Sequence, residues 1–301
     1  MEIFAAWPLA LLVLTALVGL VAGSFLNVVA YRLPIMMELA WRAQCAELDA
    51  QAVPVPAHAK TDRFDLAWPP STCPHCGQRI AAIHNVPVLS FVALRGRCAG
   101  CGAKISARYP LVEAIAAVLG VAVAYALGST WQTFELIQLL AALGFTWSLL
   151  ALTLIDLDHK LLPDSITLPL LWAGLVIAAI PVGGKPLFTD LHSSVIGAVA
   201  GYLSLWTVYQ LFKLVTGKEG MGYGDFKLLA AIGAWLGWQK LPLVIILSAA
   251  VGSVVGVTLI VAGGRSRHVP IPFGPYLAAA GWIALLWGAP LIRLYGRLFL
   301  A

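Results

Sequence analysis

Asp225 stands in Gly222-Tyr223-Gly224-Asp225-Phe226-Lys227, a stretch set between two long apolar runs. A carboxylate at the mouth of a membrane helix is costly to bury and so marks a functional position by default. The two glycines let the backbone bend tightly and approach another segment, which a larger side chain would hinder. A second acidic cluster, Asp156-Leu157-Asp158-His159-Lys160-Leu161-Leu162-Pro163-Asp164, closes an earlier apolar run. Two aspartates on separate helix ends at one membrane face predict a carboxyl dyad. One member of such a dyad holds a proton while the other stays charged, so the pair activates a water as general base and protonates a carbonyl. The same acids also suit helix caps or ion-pair partners of Lys160 and Lys227. For Asp158 and Asp164 that structural role is the expectation, with Asp164 as an N-cap; for Asp225 it is a functional one.

A different chemistry is written in Cys73-Pro74-His75-Cys76 and Cys98-Ala99-Gly100-Cys101, two C-x2-C pairs separated by 21 residues. Each pair grips one ion in a tight knuckle, and Gly77 and Gly102 permit the turn that follows. Four thiolates suit a closed, tetrahedral, structural zinc site. His75 is expected to be a bystander, since four sulfurs fill the shell. Two disulfides are the competing reading, disfavoured if the segment lies in a reducing compartment. Cys45 is expected as a lone reduced thiol.

The elements that must position these groups are membrane helices. Of 301 residues 60% are hydrophobic and 11% charged, well under the roughly 25% charged of soluble domains. Only helices and closed barrels satisfy the backbone in lipid, and continuous apolar runs are helical. The fold class is therefore an all-α polytopic membrane protein of about eight spans. They fall at roughly 3–30, 111–127, 131–155, 165–181, 191–215, 226–236, 241–262 and 276–290. Only Glu2 is charged ahead of the first run, which predicts a retained helix rather than a cleaved signal. The hydrophilic segment from about 35 to 107 carries Arg42, Lys60, Arg63, Arg79, Arg95, Arg97 and Lys104. The positive-inside rule places it in the cytoplasm, with both termini outside and both acidic clusters facing the cytoplasm. Three domains follow: 1–31 as first helix, 32–109 as a zinc-binding loop, and 110–301 as the helical domain bearing the acids. Asn27 in the first helix reads equally as a packing hydrogen bond or a functional group. Glu113, near the start of the second, reads equally as a partner of Arg108 or as functional.

Five motifs in order carry a family resemblance: Gly23-Ser-Phe-Leu-Asn-Val-Val-Ala-Tyr-Arg-Leu-Pro34, the two-knuckle ribbon, the Leu161-Leu-Pro-Asp164 cluster, Gly222-Tyr-Gly-Asp-Phe-Lys227 and Ile271-Pro-Phe-Gly-Pro275. Together they resemble type IV prepilin leader peptidases, bifunctional membrane enzymes that remove a prepilin leader and methylate the new N-terminus. None of the main motifs departs from the family pattern. The resemblance implies catalytic aspartates at Asp225 and Asp156, with Asp164 as the later residue of the first motif and Asp158 a poorer fit to its spacing. Gly222, Gly224, Lys227, Asp158 and Asp164 become site-supporting residues. It further implies cleavage after a glycine at the cytoplasmic end of a prepilin or pseudopilin helix, and location in the bacterial inner membrane. Structural Zn2+ and the methyl donor S-adenosylmethionine are the implied cofactors. The methyltransferase site cannot be derived from the residues; Glu38, Asn27 and the ribbon's surroundings are the candidates. No nucleic-acid partner is expected.

Three other readings compete. A proton-coupled transporter would place its acids near the midplane and show internal repeats. A non-enzymatic assembly factor docking through the ribbon leaves the Gly-Tyr-Gly-Asp stretch unexplained. A leader peptidase without methylation is the nearest alternative.

Overall fold

The computed structural model describes residues 8–48, 63–128, 133–261 and 271–299, and all its regular elements are helical. In chain order the helices are α1 (Pro8–Leu48), α2 (Leu89–Ala93), α3 (Arg108–Leu127), α4 (Thr133–His159) and α5 (Asp164–Ala179). They continue with α6 (Leu191–Thr216), α7 (Tyr223–Leu236), α8 (Leu241–Val261) and α9 (Gly274–Phe299). Each of the eight apolar segments in the sequence is a helix. Among the described residues six helices are long and apolar enough to cross a bilayer: α1, α3, α4, α6, α8 and α9. With 16 and 14 residues, α5 and α7 reach only about 24 and 21 Å at 1.5 Å per residue, short of a hydrocarbon core of about 30 Å.

The chain divides into two compact units, Leu9–Ala122 and the part from Val123 onward. In the first, α1 does not stop near Ala30 but runs through Pro34 to Leu48, 41 residues in all. The apolar run ends earlier than the helix because Met36–Leu48, apart from Trp41 and Cys45, is built from Met, Glu, Leu, Ala, Arg and Gln, strong helix formers needing no lipid. Pro34 forfeits one backbone hydrogen bond without breaking it. α1 and α3 touch backbone to backbone: a Cβ at Gly19 would sit 2.6 Å from Ala117 Cα, and one at Gly23 2.5 Å from Glu113 Cα. Small residues at such a crossing are how helices associate where water supplies no driving force. Asn27, one turn on from Gly23, donates from Nδ2 to the Gly23 and Tyr109 carbonyls, each at 3.2 Å. These are the packing hydrogen bonds that one of its two readings expects.

In the second unit α7 is the core. Every residue from Phe226 to Leu236 except the half-buried Lys227 is buried, beneath α5, α6 and α9. α6 crosses it antiparallel on a glycine contact: a Cβ at Gly197 would meet the Gly233 carbonyl oxygen at 2.2 Å, and one at Gly233 the Gly197 oxygen at 2.1 Å. One turn along, Gly201 faces the Leu229 carbonyl oxygen, 2.6 Å from where its Cβ would be. Ser194 Oγ donates to the Ala234 carbonyl at 2.5 Å, and Trp235 Nε1 donates to the Leu170 carbonyl of α5 at 2.7 Å. A 14-residue helix too short to span lipid is thus solvated by protein on all sides.

Gly233→Ala forces α6 and α7 apart and is expected to cost about 2–3 kcal/mol, the range of overpacked cores. Gly144→Ala, where a Cβ meets nothing within 4 Å, is expected to be neutral or to stabilise by up to about 1 kcal/mol. Thermal unfolding of the two variants in the same detergent checks the contrast.

Candidate active site and metal centre

α4 carries Asp156 on its last turn. Leu149, Leu152 and Asp156 fall at i, i+3 and i+7 on one buried stripe, whereas Asp158 is turned about 200° away and is exposed. Asp156 is 5% exposed, and its Oδ2 accepts the Gly274 N–H at 3.0 Å. Asp225 lies in the first turn of α7, 7% exposed, its own N–H directed at the Gly222 carbonyl at 3.3 Å. Its carboxyl is within electrostatic reach of Asp156. Two acids from distant parts of the sequence therefore share one buried site.

The flanking residues separate by role. α7 begins at Tyr223, so Gly224 is inside the helix. A Cβ there would stand 2.7 Å from Leu162 Cβ. Gly224 permits a close approach rather than a bend. Gly222 is the N-cap with an ordinary extended backbone, φ −80° and ψ 148°. A Cβ on it would lie 3.8 Å from Asp225 Oδ2, so glycine keeps the space over that carboxyl open. Asp164 is not an N-cap. Pro163 takes that position, and Asp164 becomes the first residue of α5, both its oxygens accepting from Lys227 Nζ at 2.7 Å. This ion pair ties the start of α5 to α7, the structural role expected for Asp164. Glu219 is likewise engaged, by Lys213 Nζ at 2.8 Å. That hydrogen bond holds its carboxyl below the usual range. Two residues given no site role by sequence alone complete the site: Gly274, which binds Asp156, and Leu162, whose side chain fills the space beside both Gly224 and Gly274. Each lies in a stretch that carries the resemblance, Gly274 in Ile271-Pro-Phe-Gly-Pro275 and Leu162 in Leu161-Leu-Pro-Asp164, but no residue type there marks either as a contact of the acids.

In the first unit the four Sγ atoms of Cys73, Cys76, Cys98 and Cys101 lie within 4.8 Å of one another. Cys73 and Cys101 Sγ are 3.9 Å apart, against about 3.8 Å for the edge of a tetrahedron with 2.3 Å metal–sulfur bonds. Gly77 and Gly102 take φ +70° and +72°, closing each knuckle through the left-handed region. Backbone N–H groups of Cys76 and His75 push the Cys73 thiol down to about 6, favouring the thiolate a metal needs. The four cysteines therefore form a pocket of the right chemistry and size for a metal. His75 is exposed outside it, and Cys45 is a free exposed thiol. Glu113 is buried and its Oε2 accepts the Val88 N–H at 2.7 Å. Val88 is a β-branched residue at φ 58°, a conformation that needs such an anchor. Glu38 is ion-paired with Arg42.

Loss of one thiolate should empty this pocket. Cys98→Ser is expected to carry less than one equivalent of bound metal by elemental analysis, and to open the ribbon to trypsin at Arg95 and Arg97. A variant that keeps its metal and its resistance contradicts the assignment.

The family described as the bacterial peptidase A24 N-terminal domain matches residues 17–127, and the type IV leader peptidase family matches residues 143–257. A protein of Aeromonas hydrophila named prepilin leader peptidase/N-methyltransferase is 55% identical over 290 residues, 95% of this chain and 94% of its own length. Proteins with the same name from Stutzerimonas stutzeri and Pseudomonas aeruginosa are each 51% identical, covering 98% of this chain and 96% and 97% of theirs. No solved structure matches the chain.

Proposed function

The chain belongs to the type IV leader peptidase family, and we propose that it removes the leaders of type IV prepilins or type II secretion pseudopilins with Asp156 and Asp225 as its catalytic pair. The observation that carries the reading is the burial of these two carboxyls together, at the ends of α4 and α7, with no basic side chain hydrogen-bonded to either among the described residues. Two carboxyl groups in one dry site share a single proton. The ionised member takes a proton from water as the water oxygen attacks the scissile carbonyl carbon, and the protonated member gives its proton to the carbonyl oxygen. The resulting gem-diol collapses as the newly protonated member gives its proton to the leaving nitrogen and the other carboxylate takes back a hydroxyl proton of the diol, which breaks the C–N bond, forms the product carboxyl and restores the starting protonation. Each proton transfer by a placed group contributes about 10²–10⁴-fold.

Cleavage follows a glycine at the cytoplasmic face of a multi-pass protein of the bacterial inner membrane. The exposed α-amine is then methylated from S-adenosylmethionine. The names and near full-length identity of the relatives support both activities. Zinc is the metal proposed for the four cysteines: tetrathiolate ligation without an open position makes the site structural, and its chemistry is to hold the ribbon folded. The division into 1–31, 32–109 and 110–301 is proposed as first helix, metal-bearing loop and peptidase, with α1 continuing into the second of these. Gly222, Gly224, Asp164 and Lys227 support the pair, and Asp158 lies outside it. The acids sit within the last and first turns of their helices, which suits work at a membrane face better than a proton relay across the midplane.

Purified prepilin in detergent, incubated with wild type, Asp156→Asn, Asp225→Asn or Asp158→Asn, tests the pair. Asn keeps the shape and removes the titratable proton. Cleavage is expected to fall at least about 10⁴-fold for the first two and to stay within about threefold for Asp158→Asn, followed by leader release on gels. Normal cleavage by Asp225→Asn or Asp156→Asn contradicts the reading; a dead Asp158→Asn moves the first acid by two residues.

A further inference from the structure

We propose that Gly274 and Leu162 are positioning residues of the cleavage reaction: the Gly274 amide holds Asp156, and the Leu162 side chain spaces the two aspartate-bearing backbones. The proposal rests on the two-aspartate reading above. It begins from a feature that reading does not require. Asp156 comes from α4, yet the group that fixes its carboxylate is the first residue of α9.

The Gly274 amide is available because the first N–H groups of a helix have no partner within it. The next residue, Pro275, has no N–H and presets the helical φ. Tyr276 and Leu277 direct theirs at the Phe273 carbonyl. Gly274 is thus the donor that the start of α9 turns toward α4. A carboxylate rotates easily about its terminal torsion. Binding one oxygen sets the plane of the group and reserves the other for the shared water.

Only glycine fits there. A Cβ on residue 274 would lie 2.6 Å from Asp156 Oδ2, closer than unbonded atoms approach, and 3.2 Å from its Cγ, so the carboxyl would have to shift. The same Cβ would meet Leu162 Cδ2 at 3.1 Å, and on its other flank Leu162 meets the Cβ position of Gly224. Gly224 directly precedes Asp225, and Gly274 directly binds Asp156. One buried leucine, from the turn between α4 and α5, therefore separates the two backbones that carry the acids. Placement within a few tenths of an ångström is what catalytic pairs need, and a 1 Å error costs about 10²-fold.

The experiment measures kcat and KM for prepilin cleavage by Gly274→Ala, Leu162→Ala and Gly281→Ala, beside Asp156→Asn and Asp225→Asn. Gly281 is the matched control: it lies on α9 too, and its Cβ would press on Ile232 of α7 at 2.9 Å, away from Asp156. Gly274→Ala is expected to lose about 100-fold in kcat with KM within about threefold. Gly281→Ala should keep kcat within about threefold of wild type. Should Gly274→Ala fail to fold by thermal melting, Leu162→Ala, which adds no atom, decides: a loss of about tenfold in kcat at unchanged KM supports the proposal, and wild-type kcat overturns it. A folded Gly274→Ala with wild-type kcat, or equal losses in Gly274→Ala and Gly281→Ala, also overturns it. If the Asn variants themselves cleave normally, the two-aspartate reading is what fails.

Discussion

A carboxyl group inside an apolar bundle must be solvated by protein, because lipid cannot do it. Asp225 meets this demand by riding on α7, a helix too short to span the bilayer and enclosed by α5, α6 and α9. The enclosure depends on glycine. Gly197, Gly201 and Gly233 bring α6 onto α7 with backbone atoms in contact, and Gly174 receives the Trp235 ring from α7. Asp156 meets the same demand differently, by facing inward from the end of a long helix onto the amide at the head of α9. The dyad is therefore a product of helix packing. Its members are 69 residues apart in the sequence, and no local turn joins them.

The first unit solves a different problem with different means. Its ribbon buries almost nothing, Cys73 being the one buried residue of 63–107, and among the described residues its strand-like pairings are the isolated bridges Thr72–Arg79 and Arg97–Lys104. Four sulfurs around one ion replace a core in such modules. The ribbon is moored to helices by polar contacts: Arg32 of α1 donates to the Asp65 and Pro69 carbonyls at 3.0 and 2.6 Å, and Glu113 of α3 accepts from the strained Val88. Glu113, read in the sequence as a partner of Arg108 or as a functional group, anchors the loop through this bond.

Much of this was legible in the residues. The eight apolar helices, the four-cysteine cluster and the pairing of Asp164 with Lys227 follow from hydropathy, spacing and charge. Asp156 against Asp158 was less accessible. Asp156 continues the stripe of Leu149 and Leu152, but every face of a membrane helix is apolar, so the stripe has no contrast to reveal it. The length of α1 was hidden for the reverse reason: hydropathy reports where lipid ends, and helix propensity carries the chain on to Leu48. The glycines of Gly-Tyr-Gly-Asp read in the sequence as bending the chain, and the structure gives them another task. Gly222 keeps open space and Gly224 admits Leu162; neither bends the chain. The motif around Gly274 was visible, but its contact with Asp156 was out of reach because it pairs residues 118 positions apart.

The central claim is that Asp156 and Asp225 act on one water between them. A prepilin peptide whose scissile bond is replaced by a hydroxyethylene group places a hydroxyl where that water attacks, and such analogues bind about 10² or more times tighter than substrate. Its affinity, measured by titration in detergent against wild type, Asp156→Asn and Asp225→Asn, tests the claim most directly. Tight binding by the wild type, lost in both variants while an uncleavable peptide lacking the hydroxyl binds all three alike, is the predicted result. Undiminished binding of the analogue by Asp156→Asn would contradict the shared site.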